Sequence, residues 1–327
     1  MRIQTFQIWQ YFIFNGRFFE CFFNLIVMDP MAESKQTKQT GFTLVELLIT
    51  LAILLVVVAS LSSTFVFQRK TYDTQQQINE MVQNGRAAMD LMTSEMMMTG
   101  YGVTSQDLST WLNWATGVVT FVDDPVVIED GIDGGSDIIH VAGCFDGTVA
   151  TLSANASSGD TTIDVTPADS GDTTAELFDT SDESNICING IERAVVTGVS
   201  GDTLTIDTDP TTTGNQGLAG AYDVSATTVN ICVVKVVTYS IVQETDGSGN
   251  TVYTLKRNEN LGAGRQPLAE NIIDMQVTQV PSTGTILGLE INPLTAQTDK
   301  VDPDYSPNSG RRTYRLRSVV TPPNLGF

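Results

Sequence analysis

The sequence has few of the side chains on which metal sites and acid–base catalysis depend. Its 327 residues include one histidine, His140, and four cysteines, and no two cysteines form a C-x-x-C pair. The sequence therefore offers too few histidine and cysteine side chains for a typical zinc site or for histidine-based catalysis. Because the sequence also shows no nucleophile beside a general base, we expect neither enzyme activity nor a cofactor.

Basic residues are scarce as well. Lys and Arg total 17 against 38 Asp and Glu, which gives a formal net charge of −21. Such a polyanion repels phosphate backbones, so no nucleic-acid partner is expected. Between Arg86 and Lys235 there are 23 acidic residues and a single basic one, Arg193. This asymmetry is more typical of a solvated surface than of a binding site.

The longest apolar run covers residues 42–67, which hold a single charge, Glu46, and neither Gly nor Pro. As a helix these residues are about 39 Å long, enough to cross a hydrocarbon core of about 30 Å. A buried helix of a globular protein would show a polar face, and this one has no charged stripe. No small-residue cleavage site follows the run, so we expect a membrane span that is retained.

At its start the run carries a recognisable motif. G-F-T-L-V-E, from Gly41 to Glu46, resembles the class III signal of type IV prepilins and type II secretion pseudopilins. The resemblance implies that a prepilin peptidase cuts between Gly41 and Phe42 and methylates the amine of Phe42. It also implies that Glu46 meets the amine of a neighbouring pilin. Phe42 and Glu46 are four positions apart in the sequence, which predicts that both lie on one helix face.

Residues 1–41 would then be a leader. Its first part, residues 1–27, is rich in aromatic residues and fits a prepilin leader poorly. One interpretation is a start codon assigned upstream of the true one, at Met28 or Met31. The alternative is a genuine hydrophobic segment ahead of the leader.

Three further segments resemble minor pilins of the PilW type. They are an N-G-R…D…G-Y-G block at 82–102, a late strand region at 253–277, and an arginine-rich end beginning at Arg311. The resemblance implies a minor pilin that joins a priming or tip complex with other minor and major pilins and the assembly platform. It would be a single-pass protein of the bacterial inner membrane with a periplasmic domain.

Other functions stay open. One alternative is a minor pseudopilin of type II secretion, and a second is an adhesin-like tip pilin that binds through an acidic insertion. From a different class, a membrane-anchored periplasmic enzyme is the third alternative.

The predicted fold is α+β, with a long helix over residues 42–99 that spans the membrane and then packs on an antiparallel β-sheet. Residues 100–144 and 231–327 form this pilin-like sheet, and residues 145–230 form an all-β insertion. Apolar and β-branched runs separated by turn residues carry the prediction. The runs are at 118–122, 137–142, 161–166, 193–199, 203–208, 229–242, 251–256, 272–280 and 314–320.

Two side-chain clusters remain. Cys144, Cys187 and Cys232 allow three disulfide pairings, of which Cys144–Cys232 would staple the base of the insertion. Asp130, Asp133 and Asp137 lie in a run that offers oxygen ligands for calcium. Since Asp-Gly pairs are also ordinary turn residues, a solvated loop is the competing interpretation.

Overall fold

A computed structural model describes residues 42–103, 121, 124–178, 185–245, 247, 249–259, 264–282 and 286–325. The predicted leader, residues 1–41, lies outside the described residues. The chain divides into two units, Met1–Val66 and Phe67–Phe327. Apart from one long helix, the described structure is mostly antiparallel β-sheet.

Helix α1 covers Leu44–Met97, within two residues of the predicted bounds at each end. In its second half, buried residues recur every three or four positions and so share one face. They are Met81, Gly85, Ala88, Met89, Met92 and Met96. This face packs into the main hydrophobic core, together with side chains from both open sheets.

The first open sheet has five antiparallel strands in the order β1-β2-β9-β10-β11. Its central strands β2, β9 and β10 carry buried residues such as Ile139, Val237 and Leu255 toward α1. The strand bounds are β1 Val126–Glu129, β2 Ile138–Gly143, β9 Lys235–Thr245, β10 Thr251–Asn258 and β11 Gln266–Glu270.

A second open sheet has three antiparallel strands in the order β12-β13-β14. Its strands are β12 Ile272–Val280, β13 Gly288–Gln297 and β14 Thr313–Val320. The prediction of a single sheet is therefore wrong. The first sheet ends and the second begins on either side of Asn271, the one residue between β11 and β12. Its backbone φ of 61° turns the chain out of the first sheet.

Six strands between β2 and β9 form a closed antiparallel barrel in the order β3-β4-β7-β6-β5-β8. Strands β5, β6 and β7 follow one another in sequence and in space, and β4 pairs with the last of them, β7. This is a Greek-key arrangement. The strands are β3 Ala150–Leu152, β4 Thr162–Pro167, β5 Asn185–Ile188, β6 Glu192–Ser200, β7 Thr203–Asp207 and β8 Asn230–Val233. The barrel has its own apolar core, separate from the one beneath α1.

The barrel corrects the predicted insertion in two respects. Strand β8 closes the barrel by pairing with β3 and β5, so the insertion ends after Val233 and not at residue 230. It is also not entirely β, because a short helix, α2, covers Thr174–Leu177. The chain leaves the open sheet at Gly143 and returns at Lys235, and these two residues pair directly.

Candidate functional site

Helix α1 begins immediately after the predicted cleavage point. The backbone N–H of Glu46 donates to Thr43 Oγ1 at 3.3 Å, and the N–H of Leu47 donates to the Thr43 carbonyl at 3.2 Å. Thr43 is therefore the N-cap of the helix. Sequence reasoning missed this role, although Thr43 and Glu46 have the T-x-x-E spacing of a capping box. Gly41 lies outside the described residues.

The cap changes the expected relation between Phe42 and Glu46. Phe42 precedes the N-cap and is not part of the helix, so the prediction that both residues share a helix face is wrong. Glu46 lies in the first turn of α1, where the exposed N–H groups give the helix a partial positive charge. This position stabilises the carboxylate locally, before any partner is present.

The apolar side chains that follow are exposed, as far as the described residues show. Phe42 is 81% exposed and Phe65 is 66% exposed, and the leucines and valines between them are exposed as well. Among the described residues one helix, α1, is long and apolar enough to span a membrane, and none of its apolar window is buried.

Four hydroxyl groups in the same segment donate hydrogen bonds within the helix. Thr50 donates to the carbonyl of Leu47 at 2.9 Å, and Ser60 donates to that of Val56 at 2.8 Å. Ser63 and Thr64 both donate to the carbonyl of Ser60. Because these hydroxyls need no outside partner, the segment is compatible with an apolar surrounding.

Three cysteines meet where the barrel joins the first sheet. Cys144 follows β2 and forms a disulfide with Cys232 on β8, across a Cα–Cα distance of 5.8 Å. Cys187 on β5 is a buried free thiol. Burial raises the pKa of the Cys187 thiol, and nearby Arg193 acts in the opposite direction. Of the three pairings that the sequence left open, the structure has Cys144–Cys232.

The turn that ends α1 lies against these cysteines. Gly100 donates its N–H to the carbonyl of Ala142 at 2.9 Å, and Cys144 donates to the carbonyl of Tyr101 at 3.0 Å. Gly102 has a φ of +76°, and a Cβ at this position would lie 2.7 Å from Cys144 Sγ. The sequence showed a helix-ending Gly-Tyr-Gly but gave no signal that Gly102 makes room for sulfur atoms.

A charged cluster fastens α1 to the first sheet. The Glu95 carboxylate accepts hydrogen bonds from Arg257 Nε at 2.9 Å and from the hydroxyl of the fully buried Tyr239. Arg257 also pairs with Glu259, which Lys235 contacts at 3.2 Å. The sequence did not predict this cluster, because Glu95 and Arg257 are 162 residues apart.

The surroundings of this cluster keep both Tyr239 and Arg257 protonated. Burial and then the Glu95 charge raise the pKa of Tyr239 far above its ordinary value, so the phenol stays protonated. Burial alone would lower the pKa of Arg257, but the carboxylates of Glu95 and Glu259 outweigh it and raise that pKa. Each group has an opposite charge or a hydrogen-bond partner, so the arrangement is suited to holding α1 in place.

The calcium hypothesis does not fit the structure. Asp137 is buried, and its two carboxylate oxygens accept the N–H groups of Gly131 at 3.0 Å and Val277 at 2.8 Å. Asp130 and Asp133 are exposed. No three acidic, histidine or cysteine side chains of the described residues form a group able to hold a metal ion. Asp137 instead connects its own loop to β12 through these two hydrogen bonds.

The comparison with known families concerns the N-terminal segment. Residues 36–62 match the family model of the prokaryotic N-terminal methylation motif. The chain matches none of the curated proteins and none of the solved structures. The matched residues contain Gly41, Phe42, the Thr43 cap, Glu46 and most of the exposed apolar segment. The match supports a type IV pilin-like or pseudopilin-like protein that is processed by a prepilin peptidase and anchored in a membrane.

Proposed function

We propose that the chain is a minor type IV pilin of the PilW kind, which joins a priming or tip complex for pilus assembly. The observation that carries the proposal is the coincidence of the methylation motif, residues 36–62, with a helix whose apolar surface is uncovered from Phe42 to Phe67. A capped helix start just after Gly41 suits a chain that is cut there. The protein is an assembly component of the inner membrane and not an enzyme.

The charge distribution favours a minor over a major subunit. Residues 145–234, which include the barrel, contain 14 acidic residues and one basic residue, Arg193. In a filament built from this chain alone, each barrel would lie close to others of the same sign, and their repulsion would oppose close packing. Among less acidic pilins, a few copies meet no such penalty.

The disulfide supports the proposed compartment. Structural disulfides persist in oxidising surroundings such as the periplasm and are rare in the cytosol. Cys144–Cys232 lies in the second unit, which follows the apolar segment. The domain after the membrane span is therefore proposed to be periplasmic.

Processing is tested by the mass and sequence of the mature N-terminus. Protein extracted from membranes should begin at Phe42 and carry one methyl group on its amine. A Gly41→Leu variant is the control, because it should keep the leader and remain inserted. A native N-terminus other than Phe42 contradicts the proposal.

Glu46 is tested by co-purification with the other minor pilins. Glu46→Gln keeps the side-chain length and its capacity for hydrogen bonds but removes the charge, whereas Glu46→Leu removes both the hydrogen-bonding group and the charge. Since a hydrogen bond to a charged group contributes about 1.5–3 kcal/mol, recovery should fall by about tenfold or more in both variants. Both should still be inserted and cleaved.

Two results would count against this role for Glu46. Normal recovery of both variants would show that the assembly register is set elsewhere, and a loss confined to Glu46→Leu would point to the hydrogen bonds of the side chain and not to its charge. Recovery with the components of a type II secretion apparatus, in place of minor pilins, would favour the pseudopilin alternative.

A further inference from the structure

Three sulfur atoms lie together at the junction of the first sheet and the barrel. Cys144, Cys187 and Cys232 are 0%, 1% and 4% exposed, in a small apolar cluster that also contains Ala142, Val195 and Val236. The disulfide Cys144–Cys232 links the end of β2 to barrel strand β8. The third sulfur, on β5, carries a free thiol. The junction thus holds one disulfide and one thiol.

The free thiol is in register with one half of the disulfide. Cys187 on β5 pairs directly with Cys232 on β8. On either side of this pair, Asn189 donates to the carbonyl of Asn230, and Val234 donates to that of Asn185, both at 2.7 Å. Opposed residues in such a pair have Cα atoms about 5.5 Å apart, within the roughly 4.4–6.8 Å that a disulfide spans. A Cys187–Cys232 bond therefore requires no change of strand pairing.

The thiol also borders the other half of the disulfide. A Cβ at Gly102 would lie 2.7 Å from Cys144 Sγ and 3.3 Å from Cys187 Sγ. The two sulfurs therefore face the same space, which is left open because residue 102 has no side chain. Cys232 Sγ, in turn, lies 3.8 Å from the carbonyl oxygen of Cys187.

We propose that Cys187 exchanges with the disulfide, so that the junction alternates between a Cys144–Cys232 bond and a Cys187–Cys232 bond. Cys187 gives up its proton and its sulfur forms a bond to Cys232 Sγ. The Cys144–Cys232 bond breaks, the electron pair leaves with Cys144 Sγ, and that sulfur takes up a proton. One disulfide and one thiol are present before and after, so no oxidant or reductant is consumed.

The two bonds hold different parts of the molecule. Cys144–Cys232 ties the first sheet to the barrel, whereas Cys187–Cys232 joins two barrel strands that are already paired with each other. Exchange therefore removes the covalent tie between sheet and barrel, next to the turn that ends α1. Since all three sulfurs are buried, the step requires local opening and is slow compared with exchange at an exposed thiol.

The position of the free thiol provides the test. Detergent-solubilised full chain carrying Cys21→Ser is held at mildly alkaline pH without added thiol, then quenched in acid and denaturant with N-ethylmaleimide. Cleavage after Glu176 and Glu192 puts the three cysteines in separate peptides, so mass spectrometry identifies the labelled one. With longer incubation before the quench, labelling of Cys187 should decrease and labelling of Cys144 should increase. The rate of this change should not depend on protein concentration.

Two variants serve as matched controls. Cys187→Ala should keep the Cys144–Cys232 bond and acquire no label at Cys144. Cys144→Ala should form the Cys187–Cys232 bond on exposure to air. Label that stays on Cys187, label that moves to Cys232, or two free thiols in Cys144→Ala would each overturn the proposal.

Discussion

At the scale of single residues, His140 makes the stability of the folded state depend on pH. The side chain is buried on β2, with Nδ1 2.8 Å from Thr238 Oγ1, while Nε2 is buried and has no hydrogen-bond partner among the described residues. Burial lowers the pKa of His140 below its ordinary value of about 6.5, and Glu129, 3.6 Å from Nε2, offsets only part of this. The neutral ring is therefore the form that the folded state favours.

This predicts a loss of stability in mild acid. Because the folded pKa lies below 6.5, the unfolded chain binds the proton first, and the free energy of unfolding falls as pH drops below about 6.5 until the folded pKa is passed. Carboxylates with a lowered pKa, such as Glu259 and Glu290, lose their contribution only below about pH 4.5. Denaturant unfolding of the full chain measured from pH 7 to pH 5 checks the prediction.

The matched variant is His140→Asn, which can still bond to Thr238. It should be less stable than wild type at pH 7, since a smaller side chain leaves a cavity, but its stability should hardly change across the same pH range. As His140 is the only histidine in the sequence, an equal pH slope in both proteins would refute this account.

At the residue scale, sequence reasoning worked where a motif is local and failed where a role depends on distant contacts. The segment Gly41–Glu46 could be recognised from six consecutive letters, and the Thr43 cap was recoverable from its spacing to Glu46. The role of Gly102 was not, because it depends on Cys144 and Cys187, which only the folded chain brings beside it. The role of Asp137 was not recoverable for the same reason, since one of its partners is on β12.

At the scale of elements, Gly85 sets how closely α1 approaches the second sheet. A Cβ at this buried position would lie 2.8 Å from Leu316 Cδ1 on β14 and 3.4 Å from Ala296 Cβ on β13. The absent side chain lets the helix pack directly onto these strands. This gives a structural role to the glycine of the Asn-Gly-Arg block, whose neighbours Asn84 and Arg86 are exposed.

Enlarging this residue should separate the helix from the sheet. Gly85→Leu introduces a good helix former, so any destabilisation reflects packing, and overpacking of this kind costs about 1–3 kcal/mol. Gly85→Ala should be close to neutral, since the flexible end of Leu316 can move and alanine favours the helix. Thermal unfolding followed by circular dichroism measures both.

Two further variants make this prediction specific. Asn84→Leu places the same side chain at the exposed neighbouring position and should leave the melting temperature nearly unchanged. Combining Gly85→Leu with Leu316→Ala should recover part of the loss. Additive effects of the two substitutions would show that Gly85 and Leu316 do not contact each other.

The strands were predicted unevenly, for identifiable reasons. Residues 272–280 match β12 end to end, and the runs at 229–242 and 251–256 lie on either side of the hairpin β9–β10, in which Thr245 pairs with Thr251. The run at 229–242 is in fact two strands, because the chain passes from the barrel to the open sheet at Val234. An unbroken β-branched run gives no local sign of such a passage.

Strand β13 was missed because it contains a proline. Pro293 lies in the central strand of its sheet, where the missing N–H would normally break the ladder. The pairing with β14 is interrupted between Ile291 and Leu294, so the proline falls in an irregularity that tolerates it. Sequence alone does not show where a ladder is interrupted.

At the scale of the whole molecule, the barrel is inserted between two neighbouring strands. Gly143 at the end of β2 and Lys235 at the start of β9 pair directly. The distance between these two strand ends is therefore about that which a hairpin turn spans. Replacing residues 144–234 with Asn-Gly, a favoured two-residue hairpin turn, should leave both open sheets folded on α1.

The deletion should cost stability without abolishing folding. It uncovers Ala142 and Val236, and exposing a valine-sized side chain costs about 1.5–3 kcal/mol. We expect a cooperative thermal transition at a lower temperature, and a Val236→Thr substitution in the shortened chain should improve its solubility. A shortened chain without a cooperative transition would mean that the barrel is part of the core.

The disulfide also determines how the chain responds to mechanical load. Cys144 and Cys232 are 88 residues apart in sequence, and everything between them belongs to the barrel and its connections. When the chain is pulled from its ends, tension that separates β2 from β9 passes from one cysteine to the other through the sulfur atoms. Roughly 300 Å of contour length therefore stays unextended, at about 3.4 Å per residue. The barrel remains folded under a force that strips the open sheets from α1, for as long as this one covalent bond carries the load.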